Sequence, residues 1–135
     1  MGTDGNPPAA PMGWEANTVR RILVVDAEPK SREMYRSELE HEGFEVATAQ
    51  DHAEARRLAT AWKPDLAVVD VEPGPEFGLD LLRHLIEDRR SLRTVLVSRY
   101  PGYRDDFTSW LADAFLLKDE KNATELTTRV HELLA

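Results

Sequence analysis

The sequence predicts an α/β fold in which a parallel sheet carries helices on both faces. Short aliphatic runs recur along the chain, each stopped by a polar residue, and stretches with helical apolar spacing separate them. Such runs are typical of strands buried on both faces, and strands that alternate with helices form parallel sheets. The 135 residues correspond to one domain, and the 41% hydrophobic content is sufficient for a core.

Five segments are predicted to be strands. The segment 45–49 is a weaker, half-exposed strand, and the other four are continuous aliphatic runs. These runs are Ile22–Val25, Leu66–Val69, Thr94–Val97 and Ala114–Leu117. The residues that stop them are Asp26, Asp70, Ser98 and Lys118. Parallel sheets bind and react at the carboxyl ends of their strands, so we expect these four side chains to share one site.

Five helices are predicted between the strands. Apolar stripes at helical spacing occupy 55–62, 79–86 and 126–134, and a shorter stripe lies within 29–42, ending before Gly43. The segment from Tyr103 to Leu111 has the weakest helical pattern. Asp51 with Glu54 has capping-box spacing, which predicts a helix start. The pair at 122 and 125 has the same spacing.

Composition narrows the functional classes. Residues 1–18 are rich in proline and glycine, so we expect a flexible tail followed by one domain over 19–135. The absence of cysteine fits a reducing cytosol, and the net charge of -8 disfavours nucleic acid and anionic membranes as partners. No aliphatic run approaches a membrane span. We therefore expect a cytoplasmic protein with protein partners.

The histidines give no indication of a metal site in the sequence. Their positions show no metal-ligand spacing with one another, so we expect surface residues. The four are His41, His52, His84 and His131.

The chain resembles the receiver domain of response regulators in two-component signalling. The segments that carry the resemblance are RILVVDAEPKSRE, PDLAVVDVEPGPEFGLDLL, TVLVSRY and AFLLKDE. Their order and spacing together are specific, and the resemblance covers residues from about 20 to 135. It implies a flavodoxin-like, doubly wound sheet of five parallel strands in the order 2-1-3-4-5, with five helices.

The resemblance assigns a role to each strand-end residue. Asp70 is the phosphoacceptor position, whose carboxylate takes a phosphoryl group as an acyl phosphate. Ser98 would then hydrogen-bond that group, and Lys118 would pair with its charge. Phe115 occupies the aromatic position whose rotamer, like Ser98, follows the switch. Phosphoryl transfer depends mainly on positioning and on cations near the phosphoryl oxygens, so these residue types suit it.

Magnesium is the cofactor that the resemblance implies. Its ligands would be Asp26, Asp70 and the backbone carbonyl of Glu72, and Mg²⁺ prefers such oxygen donors. The second acid of the family's pair is replaced by Ala27, which should weaken the metal site. We interpret the neighbouring Glu28 as a helix-start residue beside a proline.

Two further departures surround Ser98 and Lys118. Arg99 stands where the family prefers a small side chain, and we expect it to cover the site. Our hypothesis is that Arg99 partly replaces the metal by pairing with Asp70 or Asp26. Lys118 is followed by an aspartate instead of the family's proline, which puts the position of the lysine in doubt.

Three functional classes follow from these observations. The first is an atypical receiver that takes a phosphoryl group from a histidine kinase or phosphotransfer protein and switches a downstream protein partner. The second is a pseudo-receiver that binds proteins without phosphorylation. The third is an aspartate-dependent phosphatase. Such an enzyme needs a second aspartate at the position that Glu72 occupies here, and it needs a cap domain for which this chain has no room. We therefore expect that the protein is not an enzyme. The resemblance also leaves a homodimer open.

Overall fold

The computed structural model describes residues 19–71, 75–103, 111–118 and 123–135, and strands and helices alternate along them. The strands are β1 (Arg21–Val25), β2 (Glu45–Ala49), β3 (Leu66–Asp70), β4 (Arg93–Ser98) and β5 (Ala114–Leu117). The helices are α1 (Pro29–His41), α2 (His52–Trp62), α3 (Pro75–Asp88) and α4 (Thr124–Leu134). The tail predicted over 1–18 lies outside these ranges.

The five strands form one parallel sheet in the order β2-β1-β3-β4-β5. This order confirms the predicted flavodoxin-like arrangement. It places β1 and β3 side by side, with Val25 opposite Val69 in the register. The carboxyl ends of β1, β3, β4 and β5 therefore lie along one edge of the sheet, where the candidate site was expected.

The described residues contain four α-helices, whereas five were expected. A 3₁₀ turn over Pro101–Tyr103 stands where the fifth helix was predicted to begin, and Leu111 lies in a turn. Residues 104–110, which carry the rest of that prediction, lie outside the described ranges. The turn begins with a Pro-Gly pair, and glycine is costly in a helix because it loses the most backbone freedom on folding.

Two apolar layers hold the helices against the sheet. Leu23, Val69 and Leu96 face α2 and α3, where they pack with Ala55 and Leu82. The alternate strand positions face α1 and α4, and include Ile22, Val68 and Val97. Because successive side chains of a strand point to opposite faces, each continuous aliphatic run supplies both layers.

Helix ends confirm part of the local prediction. The Asp51 side chain accepts a hydrogen bond from the Glu54 N–H at 2.9 Å, so α2 begins where the capping-box spacing predicted. Gly43 has a φ of 98°, which glycine adopts readily, and α1 ends just before it. The cap predicted at 122 lies outside the described residues, and Ala123 is the residue that precedes α4. None of the helices described is long and apolar enough to cross a membrane.

Candidate functional site

The strand-end side chains meet at the carboxyl edge of the sheet, as the sequence predicted. Asp26 directly follows β1, Asp70 and Ser98 end β3 and β4, and Lys118 directly follows β5. Asp26 and Asp70 are 2% and 5% exposed, and Ser98 is fully buried. Burying two carboxylates is costly unless counter-charges and hydrogen bonds compensate them.

Lys118 supplies that counter-charge. Its ammonium nitrogen lies 2.6 Å from Asp70 Oδ2, 3.2 Å from Asp26 Oδ2 and 3.1 Å from Glu28 Oε1. Burial by itself lowers the pKa of Lys118, but the hydrogen bond that its ammonium donates to Asp70 and the charges of Asp70 and Asp26 outweigh this effect and raise the pKa. The lysine is thus held in its charged form among three carboxylates.

Glu28 is a site residue that the sequence analysis missed. It was interpreted as a helix-start residue, and it is the N-cap of α1, yet the structure shows no capping hydrogen bond from its side chain within the described residues. The carboxylate instead contacts Lys118, and that hydrogen bond lowers the pKa of Glu28. Glutamate is not among the preferred N-cap residues, and that was the signal available in the sequence.

A buried hydroxyl completes the surroundings of Asp26 and was also missed. Ser31, on the first turn of α1, donates to Asp26 Oδ2 at 2.5 Å, and its oxygen lies 3.1 Å from Glu28 Oε1. The Glu28 N–H donates to Asp26 Oδ1 at 2.9 Å. Hydrogen bonds to a charged acceptor are strong, so these contacts fix the orientation of the Asp26 carboxylate.

Arg99 lies at the rim of this cluster. We hypothesised a pairing with Asp70 or Asp26, but the structure places its guanidinium on Glu28, with an Nη2–Oε1 distance of 3.1 Å. The three carboxylates together with Lys118 and Arg99 sum to one net negative charge, and beside them Arg32 Nη1 donates to the Asp26 backbone oxygen at 2.9 Å.

Ser98 and Phe115, the two residues predicted to form a switch, are both buried on adjacent strands. Ser98 Oγ accepts the Tyr100 N–H at 3.0 Å, and the Ser98 carbonyl accepts the Lys118 N–H at 2.8 Å. Phe115 is 6% exposed and packs in the layer beneath α2 and α3. Glu72, whose carbonyl was expected to bind metal, lies outside the described residues, as does the residue after Lys118.

The donor chemistry of this cluster fits a hard divalent cation. Asp26, Asp70 and Glu28 offer carboxylate oxygens that already surround one positive charge, and Mg²⁺ takes oxygen ligands of this kind. Ala27 is exposed and offers no oxygen from its side chain. The ammonium of Lys118 contacts the same oxygens, so a bound cation would have to share them with it.

Comparison with known proteins agrees with this geometry. The sequence model of the family described as response regulator receiver domain matches residues 22–131 of this chain. The chain is 34% identical over 84 residues to the probable transcriptional regulatory protein TcrX of Mycobacterium tuberculosis, covering 62% of this chain and 36% of that protein. The chain spans less than half the length of the first curated relatives that it matches.

Solved structures show the same fold. The response regulator TrrA of Thermotoga maritima, in complex with Mg(2+)-BeF, superposes with a TM-score of 0.77 at 35% identity, covering 85% of this chain and 99% of that one. TrrA in complex with the histidine kinase ThkA superposes with a TM-score of 0.76 at 35% identity, covering 87% and 100%. The chain therefore belongs to the response regulator receiver family of two-component phosphorelay signalling.

Proposed function

We propose that this domain is an atypical receiver that accepts a phosphoryl group on Asp70 and thereby switches protein–protein contacts. The observation that supports it is the convergence of Asp26, Glu28 and Asp70 on Lys118 at the carboxyl edge of the sheet. A buried carboxylate beside a cation and a second acid is the arrangement that phosphoryl transfer to aspartate needs.

The transfer step follows from these contacts. A carboxylate oxygen of Asp70 forms a bond to phosphorus, while the bond from phosphorus to the imidazole nitrogen of a phosphohistidine donor breaks. The electron pair of that bond stays on the imidazole, and an acyl phosphate remains on Asp70. Lys118, now 2.6 Å from Asp70, moves to a phosphoryl oxygen, and the hydroxyl of Ser98 donates to another.

Rearrangement around Ser98 is the proposed output. The Ser98 hydroxyl oxygen now accepts a hydrogen bond from the Tyr100 N–H. The same hydroxyl would donate to the phosphoryl group after transfer, and its surroundings would rearrange. Phe115 lies on β5, which pairs with β4, the strand that ends at Ser98. The rotamer of Phe115 would change together with the backbone that follows Ser98. The surface that α4 presents would then differ between the two states for a protein partner.

Magnesium would be held by Asp26 and Asp70, together with the carbonyl of Glu72. We propose that Glu28 provides the carboxylate that Ala27 lacks, because its oxygen lies 3.1 Å from the same ammonium that contacts both aspartates. When bound, the cation supplies positive charge to the transferring phosphoryl oxygens. Lys118 and Arg99 compete for these carboxylates, so we expect weak binding.

The partners follow from the family and from a neighbour's complex. Because TrrA is seen with the kinase ThkA, we propose a histidine kinase or a phosphotransfer protein as the donor. A downstream protein is the proposed target, and a homodimer is a further candidate. The relatives are named transcriptional regulators, so the expectation that this chain binds no nucleic acid stays a prediction.

An NMR titration tests the proposal. We expect beryllofluoride with Mg²⁺ to shift amide resonances centred on Asp70, Ser98 and Lys118, because beryllofluoride mimics a phosphoryl group on aspartate. Asp70→Asn should abolish these shifts, while the matched surface variant Asp113→Asn should keep them. A wild-type spectrum that does not change would refute the phosphoacceptor role and support the pseudo-receiver, a protein-binding module that works without phosphorylation.

A further inference from the structure

Two histidines that are far apart in the sequence meet where α2 packs beside α3. His52 is the first residue of α2 and His84 lies within α3, and their nitrogens Nε2 and Nδ1 are 3.1 Å apart. Their ring centroids are 5.2 Å apart. Sequence spacing gave no indication of this pair, because the contact joins residues 32 positions apart on two different helices.

We propose that His52, Asp80 and His84 form a binding site for a borderline divalent transition ion such as Zn²⁺. Each offers one ligand atom, and these atoms all lie within 4.8 Å of one another. Two imidazoles with a carboxylate suit Zn²⁺ and its neighbours, whereas Mg²⁺ prefers oxygen ligands alone. Three protein ligands leave the fourth tetrahedral position to water.

The geometry requires little rearrangement. With Zn–N distances of about 2.0–2.1 Å, two ligand nitrogens in a tetrahedral site lie about 3.3 Å apart, close to the present 3.1 Å between the imidazoles. Asp80 precedes His84 by four residues, so both project from the same face of α3. Asp80 is exposed, and its side chain is therefore able to rotate toward the two rings.

The surroundings also favour a cation at this point. The two ring nitrogens lie within hydrogen-bond distance, and a metal ion bound by both would take the place of that contact after a rotation of the rings. One turn further along both helices, Arg56 pairs with Asp88 at 3.2 Å. This pairing compensates the positive charge of Arg56, which therefore opposes metal binding less than an isolated arginine would.

The site is separate from the carboxylate cluster and does not rest on the phosphoacceptor role. Its ligands lie on two helices, and a bound ion would therefore connect α2 to α3. An ion that binds only the folded state raises the free energy of unfolding, so binding is measurable as stabilisation as well as by spectroscopy.

A zinc titration of the full chain tests the inference. We expect Zn²⁺ alone to shift the imidazole resonances of His52 and His84 saturably and to raise the urea midpoint of unfolding, with both effects reversed by a chelator. His84→Gln and Asp80→Asn should each weaken Zn²⁺ by at least about tenfold, since even changes to groups that only orient ligands cost about 10–100-fold. Asp80 is exposed, so its variant should fold.

Two controls separate this site from other zinc ligands. His131→Gln removes an exposed histidine on α4 and should leave zinc affinity unchanged, as should His41→Gln at the exposed end of α1. The proposal would be overturned if zinc shifted only resonances around Asp26 and Asp70. It would also be overturned if the Asp80→Asn and His84→Gln variants both bound zinc as tightly as the wild type.

Discussion

Replacing Lys118 by methionine should destabilise the domain substantially when Mg²⁺ is absent. Methionine keeps the apolar stem but removes a charge whose side chain is 1% exposed and which contacts Asp70 at 2.6 Å and Asp26 at 3.2 Å. Removing one partner of a buried ion pair costs about 3–5 kcal/mol, since the remaining charge is left uncompensated. Here two buried carboxylates remain, while the half-exposed Glu28 is able to turn toward water.

The expected loss in the free energy of unfolding is large enough to measure by denaturant unfolding. With a urea dependence of about 2 kcal/mol per molar, a loss of about 4 kcal/mol lowers the unfolding midpoint by about 2 M. Circular dichroism in urea measures that midpoint, and Lys30→Met, at an exposed position on α1, is the matched control. We also expect Mg²⁺ to raise the midpoint of Lys118→Met more than that of the wild type, because the cation would take over the role of the ammonium.

A Lys118→Met variant within about 1 kcal/mol of the wild type would refute this reasoning. Such a result would mean that the described contacts contribute no more than surface ion pairs do. A large destabilisation that Mg²⁺ does not reduce would keep the structural role of the lysine but refute the shared use of its carboxylates by a metal.

Three further changes test the same cluster. Ala27→Asp, at an exposed position, should raise Mg²⁺ affinity by at least about tenfold, because a second carboxylate attracts the ion at short range. A calorimetric titration measures this affinity, and an unchanged value would contradict the view that Ala27 weakens the site. Arg99→Ala should also raise Mg²⁺ affinity, by releasing Glu28, and equal affinities would show that Arg99 does not restrict the site. The lowered pKa of Glu28 means that its stabilising contribution is present above pH 4.5 and is lost as the pH falls through the folded-state pKa. Between pH 5 and 3, the Glu28→Gln variant should therefore lose less stability in urea unfolding than the wild type, whereas the control Glu125→Gln should lose as much. Identical pH profiles of Glu28→Gln and the wild type would argue against the Glu28–Lys118 bond.

The sequence was sufficient for the sheet and for most of the site. Aliphatic runs stopped by Asp26, Asp70 and Ser98 predicted both the strands and the edge at which these side chains meet, because a parallel sheet gathers the carboxyl ends of its strands. The strand order followed from the resemblance to receivers and is confirmed. These features depend on local pattern and on short connections, which a sequence records directly.

The tertiary structure alone decided which side chains pair. Glu28 directly precedes α1 and Ser31 lies in its first turn. Their side chains contact Lys118 and Asp26 because α1 begins shortly after the carboxyl end of β1. The contact of His52 with His84 joins residues 32 positions apart and depends on how α2 lies against α3. Sequence spacing predicts neighbours along one helix or strand, whereas contacts between elements depend on packing angles and rotamers that no local pattern contains.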